Sequence, residues 1–226
     1  AIILLIAVGG GLGWYFYGRS VTAGAGAGQP DAGPEFSGAT FKLGITRYLP
    51  KTQLEKEHSN LVGYISQKLK RNVKLVVHED YIDLAKELSE GKLDLAALSS
   101  YNYVRAKRSW PGMHLLATHV TESGSSYEGF VVARANSGIR TLEELKGRIF
   151  CYVNPTSTSG YLYPRALFRR HGMDPDKDLK ASRFTGDHIS ALKALAQGAC
   201  DGTAVFTGIF FEARKHGLTP EKYTVL

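Results

Sequence analysis

Thr156, Ser157, Thr158 and Ser159 are four consecutive hydroxyl side chains closed by Gly160, inside the stretch "CYVNPTSTSGYLYPRALFRRHG" at residues 151–172. A strand-like stub and an Asn-Pro turn precede them and a helix-like run follows, so they stand where a helix begins. A helix start presents unpaired backbone N–H groups and the positive end of the macrodipole. One hydroxyl is enough to cap it, so the surplus needs another use. Ser157, Thr158 and Ser159 can rotate hydroxyl donors toward an oxygen acceptor, and Gly160 lets the backbone approach closely. That donor set suits a tetrahedral oxyanion, held without a lysine. Pro164 is expected to interrupt the helix or begin its longer part, leaving the first turn a short exposed nest. A plain N-cap in a Ser/Thr-rich turn is the competing reading.

Other chemistries fit less well. Ser159 with His188 could imitate a nucleophile and base, but the sequence has no G-x-S-x-G elbow and no evident acid partner for the histidine. Neither H-E-x-x-H spacing nor a Walker-type loop occurs, so the reading is a binding protein without enzymatic activity, cofactor or metal. Cys151 and Cys200 lack C-x-x-C or His-paired spacing; they read as buried thiols, with a lone disulfide as the alternative. The net charge of +7 favours anionic partners in general. The basic residues are scattered, however, without a stripe interleaved with exposed aromatics, which speaks against nucleic acid.

The elements that must position the hydroxyls alternate in type. "FKLGI" is a short apolar strand. Leu54, Leu61, Ile65 and Leu69 then fall at helical spacing in "QLEKEHSNLVGYISQKLKR". "VKLVVH" is a strand, "DYIDLAKELSEG" a helix closed by Gly91, and "LDLAALSS" a third strand. Such a β-α-β-α-β series predicts a mostly parallel sheet that binds ligands at the carboxyl ends of its strands. A second series runs from "YEGFVVARA" through the capping-box pattern "TLEEL", strand "RIFCYV", the hydroxyl loop and its helix, helix "SALKALAQG", strand "DGTAVF" and helix "IFFEARKHG". Two α/β lobes around a cleft are expected, over residues 41–121 and 122–226. The last residues, "YTVL", read as a strand just begun, so a return to the first lobe is expected beyond Leu226.

Ahead of the lobes, "AIILLIAVGGGLGWYFYGRS" is uncharged until Arg19 and ends in Trp14, Tyr15, Phe16 and Tyr17. Residues 1–18 read as a membrane-inserted helix, either a signal peptide or an uncleaved anchor whose aromatics lie at the headgroup layer. Residues 19–40, rich in Gly and Ala, read as a flexible tether. Under either reading the lobes lie outside the cytoplasm.

Three blocks, "DYIDLAKELSEGKLDLAALSSYNYVRA", "VNPTSTSGYLYPRALFRRHGMDP" and "GDHISALKALAQGACDGTAV", together resemble the periplasmic phosphate/phosphite/phosphonate-binding proteins of ABC importers. The resemblance runs in order from about Phe41 to the end of the chain. It implies a two-lobed periplasmic-binding-protein fold of type II, with a cleft that closes on a small phosphorus oxyanion. By position it makes Ser157, Thr158 and Ser159 ligands of the phosphonyl group. Tyr81 and Tyr127 would be phenol donors across the cleft, and His188 would lie close to the anion. Ser99 and Ser100 stand where the family often has a Gly-Pro turn; with Gly160 they are secondary candidates. Tyr103 and Asp201 read as packing and loop residues. Where aminoalkylphosphonate binders resemble one another in a carboxylate after the "D-x-A-V" strand, this chain has Gly208, which favours phosphate, phosphite or a simple alkylphosphonate. The expected function is solute capture for an ABC permease. The alternative is a ligand-sensing domain tethered by its N-terminal helix to a fused signalling module.

Overall fold

The computed structural model describes residues 2–5, 36–78, 81–120 and 125–226. The first lobe comprises β1 (Ile2–Leu5), β2 (Phe41–Thr46), α1 (Lys51–Leu69), β3 (Val73–His78), α2 (Tyr81–Ser89), β4 (Leu95–Ala97), α3 (Ser100–Ser109) and β5 (His114–Thr118). Its five strands lie in the order β3-β2-β4-β1-β5, and every pair is parallel. The second lobe comprises β6 (Gly129–Arg134), β7 (Ile149–Tyr152), α4 (Tyr163–Arg170), β8 (Ala181–Phe184), α5 (His188–Ala196), β9 (Gly202–Phe206), α6 (Ile209–Arg214) and β10 (Tyr223–Val225). Here the order is β10-β6-β9-β7-β8, with β6 antiparallel to both neighbours. The expected boundary between residues 121 and 122 lies outside the described residues.

Packing follows the apolar spacing of the sequence. In α1, Leu54 and Leu61 are buried as expected, whereas Leu69, in the last turn, is exposed. Gly91 takes the left-handed conformation that ends α2, with φ of 72°. At Gly44 in β2, any Cβ would run into Leu84 of α2 and Leu93, so only glycine lets this helix and loop sit against the strand. The "TLEEL" segment forms a single 3₁₀ turn, Glu143–Leu145, whose Glu144 carboxylate reaches back to the Thr141 amide at 3.2 Å. One buried cluster joins Leu43, Ile45 and Leu54 of the first lobe to Val132, Leu192 and Ile209 of the second. The two lobes therefore share apolar contact.

Two expectations change. Ile2–Leu5 is a strand, inserted in parallel between β4 and β5, where a helix was expected. A short uninterrupted apolar run suits the middle of a parallel sheet as well as a membrane, because neighbouring strands satisfy its backbone polar groups. The rest of that segment, and the tether up to residue 35, lie outside the described residues. Among the described residues no helix is long and apolar enough to cross a membrane. The cysteines, read first as free thiols, form a disulfide with Cα atoms 5.9 Å apart across a sequence separation of 49. Strand pairing is the reason: β7 and β9 are neighbours, and the turn into β9 brings Cys200 alongside Cys151. In the chain-entropy account, closing a loop of that length removes about 4 kcal/mol of freedom from the unfolded chain.

Candidate functional site

β7 carries the chain into the hydroxyl segment, and Asn154 sets its turn. The Asn154 side-chain oxygen accepts from the Thr156 amide at 3.0 Å and from the Thr156 hydroxyl at 2.9 Å, while its carbonyl accepts from the Ser157 amide. Ser157 is extended and caps the helix start by accepting from the Gly160 amide at 3.0 Å. Residues Thr158–Leu162 then form one wide π-helical turn, and α4 follows with Pro164 in its first turn. Gly160 is required by close packing: a Cβ there would stand 2.5 Å from Val153 and 2.9 Å from the Ser157 hydroxyl.

This first turn is buried, contrary to the exposed nest expected from Pro164. Thr156, Ser157, Thr158 and Ser159 are each no more than 5% exposed, because other elements close over them. The Tyr127 phenol, just ahead of β6, lies near the hydroxyls of Ser159 and Thr158. Burial pushes its pKa up, more than those hydroxyls pull it down, so at neutral pH it stays a protonated donor. From the first lobe, the Tyr101 amide in the opening turn of α3 donates to the Thr158 hydroxyl at 3.1 Å. The buried Asn102 side chain donates to the Thr156 carbonyl at 3.2 Å and to Ser99 at 2.7 Å.

His188 opens α5, whose N-cap is Asp187. The imidazole is buried and packs edge-on against Phe206, ring centres 4.9 Å apart; Phe206 in turn meets Tyr127 at 6.2 Å. Burial drives the His188 pKa down to about 3, against a smaller opposing pull from a backbone hydrogen bond with Ala204. The ring is therefore neutral. Its Nδ1 is buried with no hydrogen-bond partner among the described residues, which leaves one unspent polar atom in this pocket.

Among the remaining candidates, Tyr81 is the first residue of α2, and its side chain lies outside the described residues. Ser99 is the N-cap of α3 and Ser100 its first helical residue, so Ser99 is spent on Asn102. Tyr103 packs against the buried cluster that includes Leu84, Leu88 and Met113. Asp201 accepts from the Ile149 amide at 3.0 Å and pairs with Arg134 at 3.5 Å. Gly208 precedes α6, whose carboxylate, Glu212, is buried against Lys215. Sequence reasoning read the Asn154-Pro155 turn and missed Asn102. Asn102 offers only one signal in the sequence, its position three residues after Ser99 at a helix start.

Two helix starts, a row of buried hydroxyls and a phenol gather hydrogen-bond donors of the kind an anion needs. Residues 43–226 match the family described as ABC transporter, phosphonate, periplasmic substrate-binding protein. The chain belongs to this family. The phosphate-import protein PhnD of Mycolicibacterium smegmatis is 29% identical over 164 residues, covering 69% of this chain and 51% of the relative; the chain thus spans about half of that relative's length. Two solved structures share the fold. One is the binding-protein component of a Pseudomonas aeruginosa ABC phosphonate transporter, with a TM-score of 0.71, 22% identity, and coverage of 82% of this chain and 63% of that one. The other is PhnD1 of Prochlorococcus marinus, in complex with methylphosphonate, with a TM-score of 0.71, 18% identity, and coverage of 83% and 71%. The architecture is the type II periplasmic-binding-protein fold expected from sequence. Membership in this periplasmic family implies an extracytoplasmic location, where a disulfide such as Cys151–Cys200 persists.

Proposed function

We propose that this chain captures a small phosphorus oxyanion (phosphate, phosphite or a simple alkylphosphonate) between its lobes and presents it to an ABC permease. The observation that carries the reading is the buried row Ser157, Thr158 and Ser159, approached by Tyr127 just ahead of β6 and met by the start of α3 from the other lobe. Hydroxyl and amide donors fixed at a helix start bind a dianion without a bound cation, and the macrodipole adds to the attraction. In this reading Ser157, Thr158 and Ser159 hold the phosphoryl oxygens, Tyr127 and Tyr81 donate phenol hydrogens, and His188, whose neutral ring leaves Nδ1 an acceptor, takes a hydrogen bond from a P–OH of a protonated oxyanion. The lobes close over the anion by hinge motion, and the closed form docks on the permease. No covalent step is needed.

An amine-bearing phosphonate fits poorly. Asp187 is spent on Ser190 and Arg47, and Glu212 on Lys215, so a substrate ammonium would meet no unspent carboxylate from these two residues. Calorimetric titration with phosphate, phosphite, methylphosphonate and 2-aminoethylphosphonate tests the reading. Binding of at least one of the first three, and weaker binding of the fourth, is expected. Absence of heat with all four would overturn it.

A further inference from the structure

We propose that Arg47 is a positioning residue of the oxyanion site, which latches the first lobe onto the second through Asp187. The proposal rests on the oxyanion reading only for its effect on ligand release; the latch itself is a matter of lobe geometry. Arg47 directly follows β2, and its amide donates to the His78 carbonyl at 2.8 Å, which pins its backbone at the carboxyl edge of the first sheet. Its guanidinium crosses the cleft to stand 3.6 Å from Asp187 Oδ2. The crossing passes over Gly186, which takes φ of +89° and whose missing Cβ would lie 3.5 Å from the Arg47 nitrogen. That distance is ordinary contact, so it is the positive φ that favours glycine there.

Asp187 is tied to the cradle. Its carboxylate caps α5, accepting from the Ser190 amide and hydroxyl, each at 2.8 Å. The Gly186 amide donates to the Val153 carbonyl, and the Val153 amide donates to the Gly160 carbonyl. A buried carboxylate held this close to an anion cradle repels the incoming ligand unless it is neutralised. Arg47 supplies that neutralisation from the opposite lobe, so it is complete only when the lobes are shut. In the open form the Arg47–Asp187 pair is broken, and Asp187 keeps its Ser190 bonds. The pair therefore adds to closure. The Asp187 side chain is 5% exposed and that of Arg47 33%, so removing Arg47 leaves a buried carboxylate without its counter-charge.

The test uses the full chain carrying Lys68→Cys and Lys193→Cys, exposed positions on α1 and α5, spin-labelled for interlobe distance measurement with and without methylphosphonate. Both native cysteines are in the disulfide. Arg47→Met and Asp187→Asn are each expected to move population from the short to the long distance, and the double variant to move it no further. Asn retains the α5 cap, so opening in Asp187→Asn does not reflect a lost helix start. In stopped flow, Arg47→Met should release methylphosphonate about five- to tenfold faster with an association rate changed less than about twofold, and Arg47→Lys should recover part of the loss. Distance distributions of both variants that superimpose on the parent would overturn the latch. Opening of the variants in a parent that binds no oxyanion would uphold the latch and defeat the oxyanion reading.

Discussion

Two helix starts face each other across the cleft, and they spend their hydroxyls differently. At the start of α3, Ser99 caps the helix and accepts from both the amide and the side chain of Asn102, so its oxygen is used up locally. At the opposite start, Ser157 alone makes the cap, and Thr158 and Ser159 are left over. Their hydroxyls meet the Tyr127 phenol, and Thr158 also accepts the Tyr101 amide from the other lobe. The first lobe thus offers backbone and a bridging amide side chain, while the second offers rotatable donors. In the proposed reading the second lobe binds and the first lobe closes.

That division can be broken most severely at Gly160. A Cβ 2.5 Å from Val153 forces the π-helical turn away from β7, and every cradle donor moves with it. Gly160→Ala should lower oxyanion affinity by at least about a hundredfold, in line with the loss of two charge-assisted hydrogen bonds, and should also lower the melting temperature. Calorimetry alongside a thermal melt measures both. Wild-type affinity in this variant would mean that the turn is not the receptor. Thr158→Ala and Ser159→Ala come next, each expected to cost about 1.5–3 kcal/mol of binding because a hydrogen bond to a charged group is lost. Ser157→Ala should add a stability loss of about 1 kcal/mol, since it also removes the cap.

The same division explains what was legible in the sequence. The lobes announce themselves by alternating strand and helix periods, and the surplus of hydroxyls at residues 156–159 is a local signal that needs no fold to be noticed. Asn102 and Arg47 are different. Arg47 carries no mark in its own neighbourhood and Asn102 only its spacing from Ser99, because what makes them matter is a partner in the other lobe, and topology alone brings Thr156 to Asn102 and Asp187 to Arg47. The disulfide was hidden for the same reason, as it depends on β7 lying beside β9. Ile2–Leu5 failed in another way. Four apolar residues in a row fit a buried parallel strand and a membrane segment equally, and only the gap between β4 and β5 decides. The burial of the cradle's first turn likewise comes from α3 and Tyr127, neither of which is near it in sequence.

Asn102→Ala sharpens the comparison from the closing side. It removes the Asn102 bonds to Ser99 and to the Thr156 carbonyl and leaves the cradle's own donors intact. A loss of about 1–2 kcal/mol is expected, expressed in faster ligand release with little change in association. Stopped-flow measurement of both rates separates this from Thr158→Ala, which should also weaken the initial encounter. If Asn102→Ala instead slowed association and left release alone, the assignment of closing to the first lobe would be wrong.

The smallest effect on binding is expected at His188, and its sign follows from the burial of the ring. In the folded chain its pKa lies near 3, against an ordinary value of 6.5. Above about pH 7 the ring is neutral in folded and unfolded chains alike, so stability there is independent of it. As pH falls below 6.5 the unfolded chain takes up a proton that the folded chain refuses, and stability is lost progressively toward pH 3. Chemical denaturation between pH 7.5 and 4.5 should therefore show an acid-side decline that His188→Gln flattens. Oxyanion affinity, corrected for the ligand's own titration, should show no step near 6.5, because a ring that stays neutral adds no charge to the cradle. A step there that disappears in His188→Gln would mean that the imidazolium, and not the hydroxyl row, supplies the attraction.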